Sequence, residues 1–227
     1  MSENWENSVI HVKNKYLLPS AKLDDQKYEF VFVLDRSGSM GGTSIELARQ
    51  ACVVGLYMFL RSLPVDCYFN IIGFGTRYQT LFPTSVKYGQ DTLNQAVAYA
   101  QKMDASMGGN EVELPLLHVY NSSGILGYMT QIFLLTDGCQ EFGTARISTI
   151  AKVVSDNETR GRVFTLGIGR QASVELVNRV AEAGNGTSEF VLGDDRIQTK
   201  VLNQLKHALR SPLLKAVRIE NRERILG

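Results

Sequence analysis

Little in this sequence serves covalent cross-linking, thiolate chemistry or histidine catalysis. Its three cysteines, Cys52, Cys67 and Cys139, are too few and too scattered for a disulfide framework or a zinc site, and they read as core thiols. Its three histidines, His11, His118 and His207, stand apart from one another, and no general base paired with a leaving-group acid accompanies them, so the chain reads as a non-enzyme. An excess of charge of one sign is missing too. With 24 Lys and Arg against 23 Asp and Glu, for a net charge of +1, nothing global selects nucleic acid or an anionic membrane as partner. Long hydrophobic runs are absent: the longest, residues 51–60 between Arg49 and Arg61, is about half of what a bilayer crossing needs. The opening MSENWENS lacks the basic start and apolar stretch of a signal peptide, so the expected location is cytoplasmic or intracellular, with secretion reserved for a longer precursor. The sequons at Asn121, Asn157 and Asn185 matter only in the secretory pathway.

What is present is an ordinary globular composition, 44% hydrophobic and 21% charged over 227 residues, enough for a sizeable core and one main domain. Residues 1–28 hold one short apolar alternation at 9–12 and then a polar stretch, which reads as an edge strand and linker. From Glu29 onward, apolar runs at 30–34, 68–74, 131–136, 162–168 and 188–192 read as strands, with a short hairpin partner at 78–82. Helical patterns lie between them. Thr43 with Glu46 reads as a capping box for a helix ending near Ser62, Asp91 as the cap of 92–103, and Ser173 as the cap of 174–183, while 143–155 and 196–210 carry helical spacing. This alternation predicts an α/β fold: a doubly wound, Rossmann-like, mostly parallel central sheet of about six strands with helices on both faces. Residues 211–227 read as a tail whose basic residues form a solvated face rather than an RNA-binding arm, and which is the possible start of a further segment.

The stretch FVFVLDRSGSM at 30–40 is the most informative. A run buried on both faces ends in Asp35, and Ser37 and Ser39 follow around Gly38, so a tight turn aims one carboxylate and two hydroxyls at one point. IFLLTD ends a second buried run in Asp137. In an open α/β sheet, ligands sit beyond the carboxyl ends of the strands where the winding reverses, and both acids occupy that end. These are hard oxygen donors suited to Mg2+ or a similar cation. A polar turn after a strand accounts for one such residue, but not for this spacing together with the second acid.

DRSGSM at 35–40, GGN at 108–110 and LLTDG at 134–138 resemble the metal-ion-dependent adhesion site of von Willebrand factor type A domains. The resemblance extends through CYFNIIGFG at 67–75, RVFTLGIG at 162–169 and VAEAGNGTSEFV at 180–191, and covers Glu29 to about Arg210. It is strongest to the type A domains that follow a vault protein and inter-alpha-trypsin inhibitor (VIT) domain. The implied organisation is a type A domain over 29–210, with 1–28 as the junction before it. The implied cofactor is Mg2+, or Mn2+ or Ca2+ in its place, with Asp35, Ser37, Ser39 and Asp137 carried over as ligands. The family's threonine ligand is replaced by Asn110, whose carboxamide oxygen sits one bond further out than a hydroxyl. From the residues alone, Asn110 with Glu113 reads equally as a helix cap, and Pro115 keeps Asn110 and Glu111 on a loop. Glu111 is either a substitute ligand or a solvated first-turn acid. The rim that would choose the partner falls on Gly41, Gly42, Thr43, Glu111, Cys139 and Glu141. The resemblance implies a protein partner that offers an acidic side chain to the ion.

Two other readings compete. Gly167-x-Gly169-x-x-Ala172 follows a strand and opens a helix, with Asp194 after the next strand, which imitates a dinucleotide-binding fingerprint. Alternatively the fold is kept as a metal-free scaffold that binds through another surface. Hydrolysis of a phosphoester at Asp35 and Asp137 lacks a general base.

Overall fold

The computed structural model describes residues 26–62, 66–138, 143–192 and 196–209, with backbone only over 56–62. The strands are β1 (Lys27–Asp35), β2 (Cys67–Phe74), β3 (Tyr78–Thr80), β4 (Val86–Lys87), β5 (Tyr128–Thr136), β6 (Arg162–Ile168) and β7 (Ser188–Val191). The helices are α1 (Thr43–Ser62), α2 (Gln90–Lys102), α3 (Glu113–Asn121), α4 (Thr144–Asp156), α5 (Val174–Ala183) and α6 (Ile197–Ala208). They form one sheet in the order β3-β2-β1-β5-β6-β7, with β4 also paired to β2. β1, β2, β5, β6 and β7 run parallel, and β3 and β4 are antiparallel to β2. The chain winds outward from β1 to β2 and then returns to β5 on the other flank. The winding therefore reverses between β1 and β5, where such sheets open a crevice beyond the strand ends.

The alternation of each buried strand sends side chains to two separate cores. On one face, Phe30, Phe32, Phe133 and Phe164 pack under α1, α2 and α6. Phe133 is stacked between Phe32 at 5.5 Å and Phe164 at 5.3 Å. On the other, Val31, Val33, Ile132 and Leu134 meet Leu116 and Val119 of α3, Ile147 and Ile150 of α4, and Leu176 and Val180 of α5. Gln204 of α6 is buried and fully used: Nε2 donates to the carbonyls of Thr165 and Thr187, each at 3.0 Å, and Oε1 accepts from Thr187 Oγ1 at 2.7 Å. Cys52 and Cys67 are buried free thiols, and burial pushes each up to about 12. Among the described residues no helix is long and apolar enough to cross a membrane.

Several local expectations change. The hairpin partner read at 78–82 is β3, over Tyr78–Thr80, and a further short strand, β4, pairs with β2 beyond it, in keeping with a sheet of about six strands. Asn70 holds the chain between the two: its Nδ2 donates to the Phe82 carbonyl at 2.9 Å and its Oδ1 accepts from the Phe82 N–H at 3.2 Å, next to Pro83, which has no N–H for a ladder. Asp91 does not cap α2. The helix starts two residues earlier than expected, at Gln90 behind Gly89, and Thr92 Oγ1 accepts from the Gly89 N–H at 3.0 Å. Glu46 lies in the first turn of α1, but its carboxylate takes Arg49 at 3.0 Å and Gln50 at 3.2 Å. Ser173 caps α5 as expected, accepting from Leu176 N at 3.3 Å. The alternation at 9–12 and the tail at 211–227 lie outside the described residues.

Truncating Phe133, which is 3% exposed and stacked on both sides, to alanine is expected to cost about 3–5 kcal/mol. A shift of the urea midpoint with an unchanged slope is the check. A loss below about 1 kcal/mol would mean that the core collapses around the missing ring.

Candidate metal centre

The parallel register brings the two acids together. Leu34 pairs with Leu135, so Asp35 and Thr136 end β1 and β5 side by side, with Asp137 one residue further on. Asp35 is 0% exposed and Asp137 4% exposed, while Ser39 stands at the surface. After Asp35, a 3₁₀ turn over Gly38–Met40 lifts the serines over the strand end, and fully buried Met40 anchors it in the core. The hydroxyls form a relay: Ser39 Oγ donates to Asp137 Oδ1 at 3.0 Å, which leaves Ser37 Oγ to donate to Ser39 Oγ at 3.0 Å.

Asp35 collects three donors. The Ser37 N–H reaches Oδ1 at 2.9 Å, and Asn110 Nδ2 reaches Oδ2 at 2.8 Å. Thr136 Oγ1 also donates to Oδ2, and itself accepts from the Gly138 N–H at 2.8 Å. Burial pushes the Asp35 carboxyl up to about 6; the hydrogen bonds from Ser37 and Thr136 oppose this rise, and the charge of Asp137 adds to it. A buried acid with a raised value beside a second carboxylate is the electrostatic pattern of a site that gains from a cation.

The loop carrying Asn110 is fixed by backbone hydrogen bonds. Gly38 N donates to Gly108 O at 2.8 Å, Met107 N to Arg36 O at 2.9 Å, Thr76 N to Met107 O at 2.8 Å and Glu111 N to Gly75 O at 2.9 Å. The approach at Gly75 is so close that an added Cβ would stand 2.3 Å from the Met107 carbonyl oxygen. Gly108 adopts φ +82°, a conformation that glycine enters without strain. Asn110 is not the cap of α3: the cap position is Val112, with no side-chain hydrogen bond, and Glu113 is already helical. Its amide turns inward instead, and its Oδ1 is buried with no hydrogen-bond partner.

That orphaned oxygen is the test of fit for a cation. An unsatisfied buried acceptor is costly, and a hard cation satisfies carboxamide oxygen as readily as hydroxyl or carboxylate. Asp35, Ser37, Ser39, Asn110 and Asp137 therefore form an all-oxygen donor set that fits Mg2+, Mn2+ or Ca2+. Only two of the donors are charged, and among the described residues no group of three or more His, Cys, Asp or Glu comes together.

Of the rim, Gly41, Gly42 and Thr43 are exposed beside the serines, and Cys139 and Glu141 lie outside the described residues. Glu111 is turned away from the centre to Arg146 Nη2 at 2.7 Å, and the same guanidinium holds the Asn110 carbonyl at 2.9 Å. Thr136 and Arg146 were not singled out by the sequence. Thr136 carried a signal, a hydroxyl directly before a strand-end acid, but its role depends on the neighbour that the register supplies. Gly167 and Gly169 are taken up by packing: a Cβ at Gly167 would meet the Phe190 ring at 2.6 Å, and one at Gly169 would meet Ser44 Oγ at 2.8 Å. In a dinucleotide site the pyrophosphate approaches the backbone at the second glycine, and here that position, Gly169, faces Ser44 Oγ. Asp194 lies outside the described residues.

A sequence profile for the von Willebrand factor type A domain matches residues 28–190. The chain is 41% identical over 190 residues to von Willebrand factor A domain-containing protein 5A of Rattus norvegicus, covering 82% of this chain and 23% of that protein. It is 34% identical over 192 residues to von Willebrand factor A domain-containing protein 5B1 of Homo sapiens, covering 85% and 15%. It thus spans about a quarter or less of the length of these relatives. Among solved structures it is similar to a von Willebrand factor type A protein from Catenulispora acidiphila, with TM-score 0.65 and 17% identity, covering 81% of this chain and 42% of that one. It is also similar to the conserved hypothetical protein BatB from Bacteroides thetaiotaomicron, with TM-score 0.63 and 16% identity, covering 81% and 100%. At these identities the structures show a shared fold.

Because the Asp35 carboxyl is held near 6 in the fold, above its ordinary 3.8, its contribution to stability is complete below pH 4 and is lost as pH rises through 6. In a chelator, Asp35→Asn is expected to stabilise the protein at pH 7.5 by about 3 kcal/mol and to have no such effect at pH 4. Thermal melts of both proteins at the two pH values check this. A destabilised variant at pH 7.5 would show that the three donors outweigh desolvation.

Proposed function

Since the chain belongs to the von Willebrand factor type A domain family, we propose that it is a protein-interaction module, not an enzyme, whose contact with its partner is completed by a divalent cation at the ends of β1 and β5. The observation that carries this reading is the convergence of five oxygen-bearing side chains from three loops, one of them, Asn110, with a buried carbonyl oxygen lacking any partner. When bound, the cation supplies an electrophilic centre for an acidic side chain of the partner, because two carboxylates and neutral donors leave it coordinatively open. The chain's own residues do the rest. Asp35 and Asp137 provide the charge, Ser37 and Ser39 sit where their hydroxyl protons turn outward once the oxygens are used as donors, and Thr136 orients Asp35 from below. The exposed turn at Gly41, Gly42 and Thr43, with Glu111 on its Arg146 tether, borders the surface that a partner would cover.

A metal-free scaffold is the second reading, and one observation favours it: Asp35 already has three protein donors, from Ser37, Asn110 and Thr136, without any ion.

Calorimetric titration with Mg2+ and Mn2+ at pH 7.5 separates the two. Saturable binding is expected for the wild type, weaker by at least roughly tenfold for Asp137→Ala and tighter for Asn110→Thr, whose shorter side chain restores a hydroxyl. No binding in any of the three folded proteins would sink the cation and leave the scaffold.

A further inference from the structure

At the opposite end of β1, about 20 Å from Asp35 by strand length, a second acid is buried without a counter-ion. Glu29 is 5% exposed. One carboxylate oxygen, Oε2, accepts from Thr130 Oγ1 at 2.9 Å. Among the described residues, no Lys, Arg or His nitrogen lies within 4.0 Å of it. His118, which lines the same cavity, shares a hydrogen bond between its Nδ1 and the Tyr78 hydroxyl at 3.2 Å, and Lys27 and Lys87 both hold Asp66, at 2.7 and 3.0 Å. A buried carboxylate without a cation is costly and is seldom kept for stability alone.

Glu29 lines a cavity of about 280 Å³ between β1, β2 and the loop after α3. Val31, Ile72, Val119 and Ile125 give the cavity an apolar side, His118 and Ser122 line it as well, and the exposed Thr84 and Ser123 stand at its mouth. The backbone at Gly124 lies close over the acid, since a Cβ there would be 3.9 Å from Glu29 Oε2. Asn70, also in the lining, has its carbonyl oxygen occupied by the N–H groups of Ile71 and Phe82, and its Nδ2 donates to the Phe82 carbonyl.

We propose that this cavity binds a primary ammonium group carried on a short aliphatic stem, with Glu29 as its counter-ion. The stem meets the apolar side, and the charged head reaches the acid. A compact ammonium needs only one carboxylate oxygen and takes its other contacts from hydroxyls and carbonyls, whereas a planar guanidinium gripping both oxygens would have to share Oε2 with Thr130. A single carboxylate is too few anionic ligands for Ca2+ or Mg2+, which gather six or more oxygens. The site does not depend on the metal centre.

The test is a titration of the 227-residue chain at pH 7, followed by amide chemical shifts, with n-butylammonium, neutral n-butanol, CaCl2 and N-acetyl-lysine amide as separate arms. Saturating shifts at Glu29, Val31, Gly124 and Ile125 are expected with n-butylammonium and not with n-butanol. Glu29→Gln should weaken binding roughly tenfold or more. Ser123→Trp, which blocks the mouth and leaves the acid in place, should weaken it as well and decides the matter if Glu29→Gln does not fold. Binding of N-acetyl-lysine amide assigns the cavity to a lysine side chain, and its exclusion while n-butylammonium binds assigns it to free amines. Equal binding of n-butanol, displacement of the amine by Ca2+, or indifference to both substitutions overturns the proposal.

Discussion

Everything around the candidate centre depends on a carboxylate taken out of water at the end of a central strand. Asp35 lies where the winding of the sheet reverses, and burial there raises the cost of its charge. Three donors answer that cost, and they come from three different parts of the chain: the Ser37 backbone, Thr136 at the end of β5 and Asn110 beyond α2. Each donor needs its own loop held in place. The hydrogen bonds of Met107 and Gly108 to residues 36–38 and 76, and the close backbone approach at Gly75, meet that need.

The same side chains suit two electrostatic states. Without an ion, Asn110 turns its amide nitrogen to Asp35 and leaves its oxygen unsatisfied, while the serine hydroxyls spend their protons on each other and on Asp137. A cation in the proposed site would take those oxygens as ligands, and the hydroxyl protons would then turn outward. Little of the backbone would have to move for this, since rotation of hydroxyls and of one carboxamide would exchange one set of partners for the other. Under the proposed function, the buried charge is kept for binding at the expense of stability.

The two ends of β1 follow one logic with different chemistry. At its carboxyl end the acid is surrounded by oxygens from several loops, the donor type of the cation proposed there. At its amino end Glu29 has one hydroxyl donor and a cavity with an apolar side, the setting of the ammonium proposed there. The sheet between them is kept dry by Phe32, Phe133 and Phe164 on one face and by Val33 and Leu134 on the other.

The sequence by itself determined the architecture and the donors on the two strands. Runs such as FVFVL and IFLLT are legible because a strand buried on both faces has few alternatives, and an acid at its end falls at the ligand-binding edge of any parallel sheet. The helices were legible wherever their periodicity was strong. Their first residues were not, because caps are settled by competition: Asn110 turns its amide to Asp35 and the cap of α3 falls on Val112, while the cap position read for Asp91 falls on Gly89, whose N–H is taken by Thr92. Only the tertiary structure decided which neutral groups complete the centre. Thr136 reaches Asp35 through the register of β1 on β5, Arg146 fixes Asn110 from a helix 36 residues away, and Phe190 closes the space over Gly167. These are contacts between segments distant in sequence, and no local pattern of residues encodes which of them will meet.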